Sequence, residues 1–113
     1  MSDKPNLIVD LTFKFSLKII EFTEELEERR KFNMANQLFR SGTSIGANVC
    51  EAQGAESRSD FKHKCKIAYK EVEETRYWLR LCQLAKNYPF KQELLDDIES
   101  IAKVLGKIIS SSN

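Results

Sequence analysis

Histidine is almost missing from this chain of 113 residues, which has one against 18 Lys and Arg and 17 Asp and Glu. That residue, His63, sits in the basic run KHKCK, where its neighbours predict a solvated side chain. No Ser-His-acid or Cys-His arrangement can be built around it. Di-metal sites in helical bundles need a Glu-x-x-His from each of two helices, and only Asp60-x-x-His63 is present. The expectation is therefore no catalytic residue, no metal site, no cofactor and no enzyme activity. Glycine and proline are also scarce, 4 and 2 residues, and no glycine-rich phosphate loop can be drawn from them. Cys50, Cys65 and Cys82 form no CxxC pair and read as small core residues of a reducing compartment. No apolar run approaches the roughly 20 residues that span a bilayer, so no membrane role is expected. Residues 1–10 lack a basic start followed by an unbroken apolar run, and cytoplasm is the expected location. A net charge of +1 excludes a polyanion binder that works by total charge alone.

What the chain does have is helical periodicity in four stretches, at about 7–30, 33–54, 59–87 and 91–109. Ile8, Leu11, Phe15, Ile19, Phe22 and Leu26 keep heptad spacing in the first. Phe61, Cys65, Ala68, Val72, Thr75, Leu79 and Cys82 do so in the third, and Leu94, Ile98, Ile101, Leu105 and Ile108 in the fourth. Phe32-Asn33 reads as a turn with Asn33 as N-cap, and Ser57 and Asp60 offer capping side chains to the third helix. Pro89 breaks the chain before the fourth helix, and residues 110–113 are expected to trail off, as are the polar residues 1–5. No repeat or linker divides the chain. The fold expected is all-α, a single domain built as an up-down-up-down antiparallel four-helix bundle.

The second stretch is the unusual one. Met34, Leu38, Ile45, Val49 and Ala52 form an apolar stripe, while Gln37, Ser41, Ser44, Asn48 and Glu51 form a polar seam beside it. Gly42 and Gly46 lie one turn apart inside the helix, each costing about 1 kcal/mol relative to Ala, which close approach of a neighbouring helix would offset. On the third stretch Glu71 and Glu74 interrupt an apolar row that includes Ile67, Trp78 and Leu81, an expensive place for charge unless it is paired. Equal distances counted from a turn near Glu56 place Arg40 opposite residue 72, between the two acids, and Asn48 opposite Lys64-Cys65. Arg40 is thus expected to be structural, paired with Glu74, Glu71 or both, with contact to phosphate as the competing role, and Gln37, Ser44, Asn48 and Glu51 belong to the same polar network. Buried in that way, the pair would make Arg40→Met cost on the order of 3 kcal/mol.

The same residues carry a resemblance. Gln37-Leu38-Phe39-Arg40-Ser41, Ser44-Ile45 and Asn48-Val49-Cys50-Glu51, followed by Arg58, Phe61, Ile67-Ala68 and Glu74, resemble the signature of the 23S rRNA-intervening-sequence proteins. The resemblance spans nearly the whole chain, although its specific motif occupies a small part of it. Ala52 stands where that family usually has Gly, and Lys70-Glu71 where many members have Gly-Ser. The family's name records where its genes were noticed and is not an activity. The resemblance implies a four-helix bundle assembled as a homopentameric ring. It also implies likeness to the accessory protein of diversity-generating retroelements, which works with a reverse transcriptase.

Two functional readings follow. In the first, a non-enzymatic, self-assembling bundle presents basic surface to RNA, DNA or a nucleic-acid enzyme. Its candidate contacts are Arg58, Lys62, Lys64 and Lys66, near the positive end of the third helix. In the second, the bundle is a protein-only assembly module, and the charge asymmetry sets subunit packing. Both need an oligomer interface. Phe13, Leu17 and Ile20 make a second apolar row on the first helix, and with Trp78 and Leu81 they are the candidates, since exposed together they would exceed what a soluble monomer tolerates.

Overall fold

The computed structural model describes residues 6–111 as four helices, α1 Leu7–Glu28, α2 Phe32–Gln53, α3 Arg58–Leu84 and α4 Gln92–Ser111, with no strand among the described residues. The polar lead-in at 1–5 and the final residues 112–113 lie outside them. Short turns make neighbours in sequence antiparallel neighbours in space, and α4 closes the bundle against α1. α1 and α3 face each other across a diagonal without packing together, as do α2 and α4.

Each helix buries one stripe. Ile8, Phe15, Ile19, Phe22 and Leu26 point inward from α1, and Leu38, Ile45, Val49 and Ala52 from α2. Cys65, Ala68, Val72, Leu79 and Cys82 meet them from α3, and Leu94, Ile98, Ile101 and Leu105 from α4. Ser41, at the edge of the polar seam, is fully buried, and its hydroxyl is met at 2.9 Å by that of Thr75, so neither is left unsatisfied in the core. Cys50 is different: it is exposed, not a core residue, because it falls off the inward stripe of α2. Burial pushes the Cys82 thiol up to about 11 and the Cys65 thiol in the same direction.

α1 and α2 approach closely through small residues. A Cβ on Gly42 would lie 2.8 and 2.9 Å from the Cγ1 and Cγ2 atoms of Ile19. One on Gly46 would lie 3.3 Å from Ser16 Oγ and from the Thr12 carbonyl oxygen. Opposite the glycines, Thr12 and Ser16 turn their hydroxyls onto their own helix, donating to the carbonyls of Ile8 and Thr12 at 2.8 and 2.9 Å. α4 is tied by ion pairs instead. Lys18 reaches Asp97 at 2.8 Å and Glu93 at 2.5 Å, and Arg76 forks onto Glu99 at 2.6 and 3.0 Å. The hydrogen bonds to Asp97 and Glu93 raise the Lys18 pKa and that from Lys18 lowers the Glu93 carboxyl, while Glu99 raises Arg76.

Helix ends depart from the sequence expectation in three places. Phe32 and Asn33 are already helical; the turn is 29–31, with Arg30 left-handed at φ 63°. The Arg30 and Lys31 amides donate to the carbonyls of Glu27 and Leu26 at 2.9 and 2.8 Å, a Schellman closure made without the usual glycine. α3 stops at Leu84, where Ala85 turns extended and Asn87 becomes left-handed before a buried Pro89. α4 continues through Ser110 and Ser111, whose hydroxyls donate to the Lys107 carbonyl at 3.0 and 2.8 Å. The start of α3 is capped by Ser57, whose Oγ accepts from the Asp60 amide at 3.0 Å.

Candidate functional site

Antiparallel packing gives the bundle four sides with different chemistry. On the α1/α2 side, Phe13, Leu17 and Ile20 run beside Thr12, Ser16 and Thr23, which face α2; Phe13 is 62% and Leu17 49% exposed. Phe39 joins them from α2, lining a crevice with Thr23, Ala35 and Asn36. Sequence reading passed over Phe39 as one position of a motif. Its spacing from Ala35 and Phe32, i−4 and i−7, would have marked an apolar row on that flank of α2.

The α2/α3 side holds the arginine network. Arg40 Nη1 donates to Glu71 at 3.3 Å and Arg40 Nη2 to Glu74, while Trp78 Nε1 donates to the same Glu74 oxygen at 3.0 Å. The guanidinium is not buried, at 51% side-chain exposure, whereas Glu71 and Glu74 are 17% and 34% exposed. Ser44 and Asn48 bond within their own helix, Ser44 Oγ to the Arg40 carbonyl at 2.5 Å and Asn48 Nδ2 to the Ser44 carbonyl at 2.8 Å. The Asn48 amide therefore does not serve α3, because its own helix supplies an acceptor one turn away. Gln37 and Glu51 are exposed on the same flank. Trp78 and Leu81 lie here too, with Ile67, the tryptophan half-buried and edge-on to Tyr77 with ring centroids 5.3 Å apart.

The interface candidates are thus split. Phe13, Leu17 and Ile20 belong to one side and Trp78 and Leu81 to the next, because α1 and α3 are diagonal. Within the chain they make two separate apolar faces, not one patch.

The basic residues are split as well. Lys62 and Lys66, with Lys70, rim an open groove between α3 and α4 of about 570 Å³. Tyr69, Gly106 and Ile109 line it below. Lys64 points the other way, toward α2, 4.0 Å from Asp60. Arg58 lines a separate hollow at the end of the bundle with Gln53 and Phe61. The reason is helical: Lys62, Lys66 and Lys70 recur at four residues and share a face, and Lys64 at two residues cannot. Lys70 belongs to the same basic run of the sequence but not to the candidate contacts, although its spacing places it in this row. His63 is exposed, and among the described residues no three His, Cys, Asp or Glu side chains gather as a metal could use them. No helix of the described residues is long and apolar enough to cross a membrane.

Comparison with known proteins agrees with this architecture. The family model described as 23S rRNA-intervening sequence protein matches residues 4–111. A crystal structure from Bacteroides thetaiotaomicron, a protein of unknown function from the S23 ribosomal protein family, is similar with a TM-score of 0.86 and 39% identity. The match covers 90% of this chain and 97% of that one. No curated protein matches the chain.

Proposed function

The chain belongs to the 23S rRNA-intervening sequence protein family, and we propose that it is a non-enzymatic bundle that assembles into a small ring and offers basic grooves to nucleic acid. The observation that carries the reading is the pair of unlike apolar faces on adjacent sides of one bundle. Phe13, Leu17, Ile20 and Phe39 on one subunit would cover Ile67, Trp78 and Leu81 on the next. Unlike faces make a heterologous contact, and heterologous contacts close into rings when the rotation permits. Adjacent sides of a bundle stand at roughly a right angle, which closes a ring at about four subunits, and a pentamer needs the two faces pinched to about 72°. The α3/α4 side then faces outward, so that Lys62, Lys66 and Lys70 recur once per subunit. Repetition lets weak phosphate contacts gain avidity. RNA, DNA or an enzyme bound to either, such as a reverse transcriptase, would be the partner. A cytoplasmic setting suits both such a partner and three free thiols.

Light scattering on two variants tests the assembly. Leu17→Glu damages one face and Leu81→Glu the other, so each variant alone should be monomeric at micromolar concentration. Mixed in equal amounts they should form a one-to-one dimer, because one intact face of each kind remains. Self-association of either variant alone to the parent's mass would overturn the heterologous ring, as would a monomeric parent. For the groove, reversing Lys62, Lys66 and Lys70 to Glu should abolish salt-sensitive retention of labelled RNA and DNA. Unchanged retention would leave the protein-only assembly module as the function.

A further inference from the structure

The α3/α4 groove combines a rim of three lysines with an aromatic floor, and the two features ask for different parts of one ligand. Lys62, Lys66 and Lys70 are four residues apart, which spaces their Cα atoms about 6 Å along the helix, on the scale of successive phosphates in an unstacked strand. Below them the half-buried Tyr69 ring lies against α4 where that helix has Gly106. Among the described residues, and leaving aside its own helix, a Cβ at Gly106 would meet Tyr69 Cε2 at 3.7 Å, an ordinary contact distance, so there is room for a side chain that the sequence does not supply. A glycine inside a helix costs about 1 kcal/mol relative to Ala, and no helix-on-helix approach demands it here, in contrast to Gly42. Its effect is to leave the tyrosine side of the groove bare. Glu73 lines the groove beside Lys70, and Arg76, one turn farther along α3, is occupied by Glu99. The phosphate track therefore runs toward the start of α3 and stops near Lys70.

We infer that this groove takes single-stranded RNA or DNA, with one unstacked base against Tyr69 and the flanking phosphates at Lys66 and Lys70. The inference rests on the nucleic-acid reading above and narrows it. A duplex keeps its bases inside and can offer only phosphates to the rim. A single strand brings an aromatic face and a phosphate in every unit, and stacking on a protein ring is tolerant of base identity. An acidic peptide could satisfy the rim, but it brings no regular flat group for the floor.

Fluorescence anisotropy with a labelled oligothymidylate, a labelled oligouridylate and a labelled duplex of equal length separates the possibilities. The parent should bind the single strands several-fold more tightly than the duplex. Gly106→Leu fills the groove while improving helix propensity, so it should keep or raise the melting temperature. It should weaken single-strand binding by about tenfold and leave duplex binding unchanged. Tyr69→Leu should do the same, with its fold checked by circular dichroism because Tyr69 also touches the core. Single-strand binding that survives Gly106→Leu, or a parent that prefers duplex, overturns the groove but keeps nucleic-acid binding. Failure to bind any of the three probes overturns both readings. Full displacement by thymidine monophosphate as readily as by an equal concentration of strand would make this a mononucleotide site, and the strand inference would fall. Retention of an acidic, phenylalanine-bearing peptide in place of nucleic acid, lost on Gly106→Leu, would overturn it too.

Discussion

Removing the Arg40 guanidinium is the sharpest perturbation of the fold, and its size follows from where water reaches. Arg40→Met keeps the alkyl stem but takes the cation from Glu71 and Glu74. Breaking a buried pair costs about 3–5 kcal/mol, whereas an exposed one is worth about 0.2–1 kcal/mol. Here the guanidinium is half in solvent and Glu71 is mostly covered, with 17% of its side chain exposed. Glu74 also keeps the Trp78 indole as a donor. The cost should therefore lie between the two limits, at about 1–2 kcal/mol, below the value expected of a fully buried pair. For a domain of this size that corresponds to about 5–10 °C in Tm. Thermal melts of Arg40→Met, Glu71→Gln and the double variant close a cycle whose coupling should be about 1 kcal/mol and should shrink in high salt. Trp78 is the chain's one tryptophan, so its emission reports on this side of the bundle directly. The melts need two protein concentrations, because assembly of the kind proposed would make Tm concentration-dependent. An Arg40→Met protein that melts like the parent at both concentrations would refute the bridge as a structural element.

Gly42→Ala gains about 1 kcal/mol of helix propensity but pushes a methyl against Ile19, so a net loss of about 1–2 kcal/mol is expected in urea denaturation. A more stable Gly42→Ala would mean that the two helices do not touch there. Arg30→Gly removes the Cβ from a left-handed residue and should raise stability by about 1 kcal/mol, read in the same assay, with a loss counting against the Schellman closure. Cys82 makes the bundle sensitive to alkali. Its folded pKa of about 11 lies above the unfolded value, so its contribution is intact below about 9 and is lost as pH rises through about 11. Cys82→Ala should flatten stability over that window, and in the folded parent Cys50 should react with a thiol reagent well before Cys82.

The inward stripes could be read from spacing alone because burial on a helix is periodic: Phe15, Ile19, Phe22 and Leu26 need no knowledge of the rest of the chain to be placed inside. Helix ends were harder. Arg30 accepts a left-handed backbone that sequence reasoning assigns to Gly or Asn, so the close of α1 carries no signal and the expected turn falls two residues late. Ser110 and Ser111 look like a frayed tail by composition, yet their hydroxyls back-bond to Lys107 and keep the helix.

Surfaces depend on a further fact that no single helix contains, namely which helices are neighbours and which are diagonal. Counting from the turn at Glu56 set Arg40 against Glu71 and Glu74, because α2 and α3 are adjacent and their connection is short. The same count says nothing about α1 and α3, and there the apolar rows that looked like one patch lie on different sides. Lys62, Lys64 and Lys66 are close in sequence, yet the bond geometry of the helix sends the middle one toward α2 and the outer two toward α4. Burial depends on distance from one axis, so a stripe can be found within a single helix. A site on the outside of a bundle needs the azimuth of two helices at once, and that becomes fixed only when Gly42 meets Ile19, Ser41 meets Thr75 and Arg76 meets Glu99.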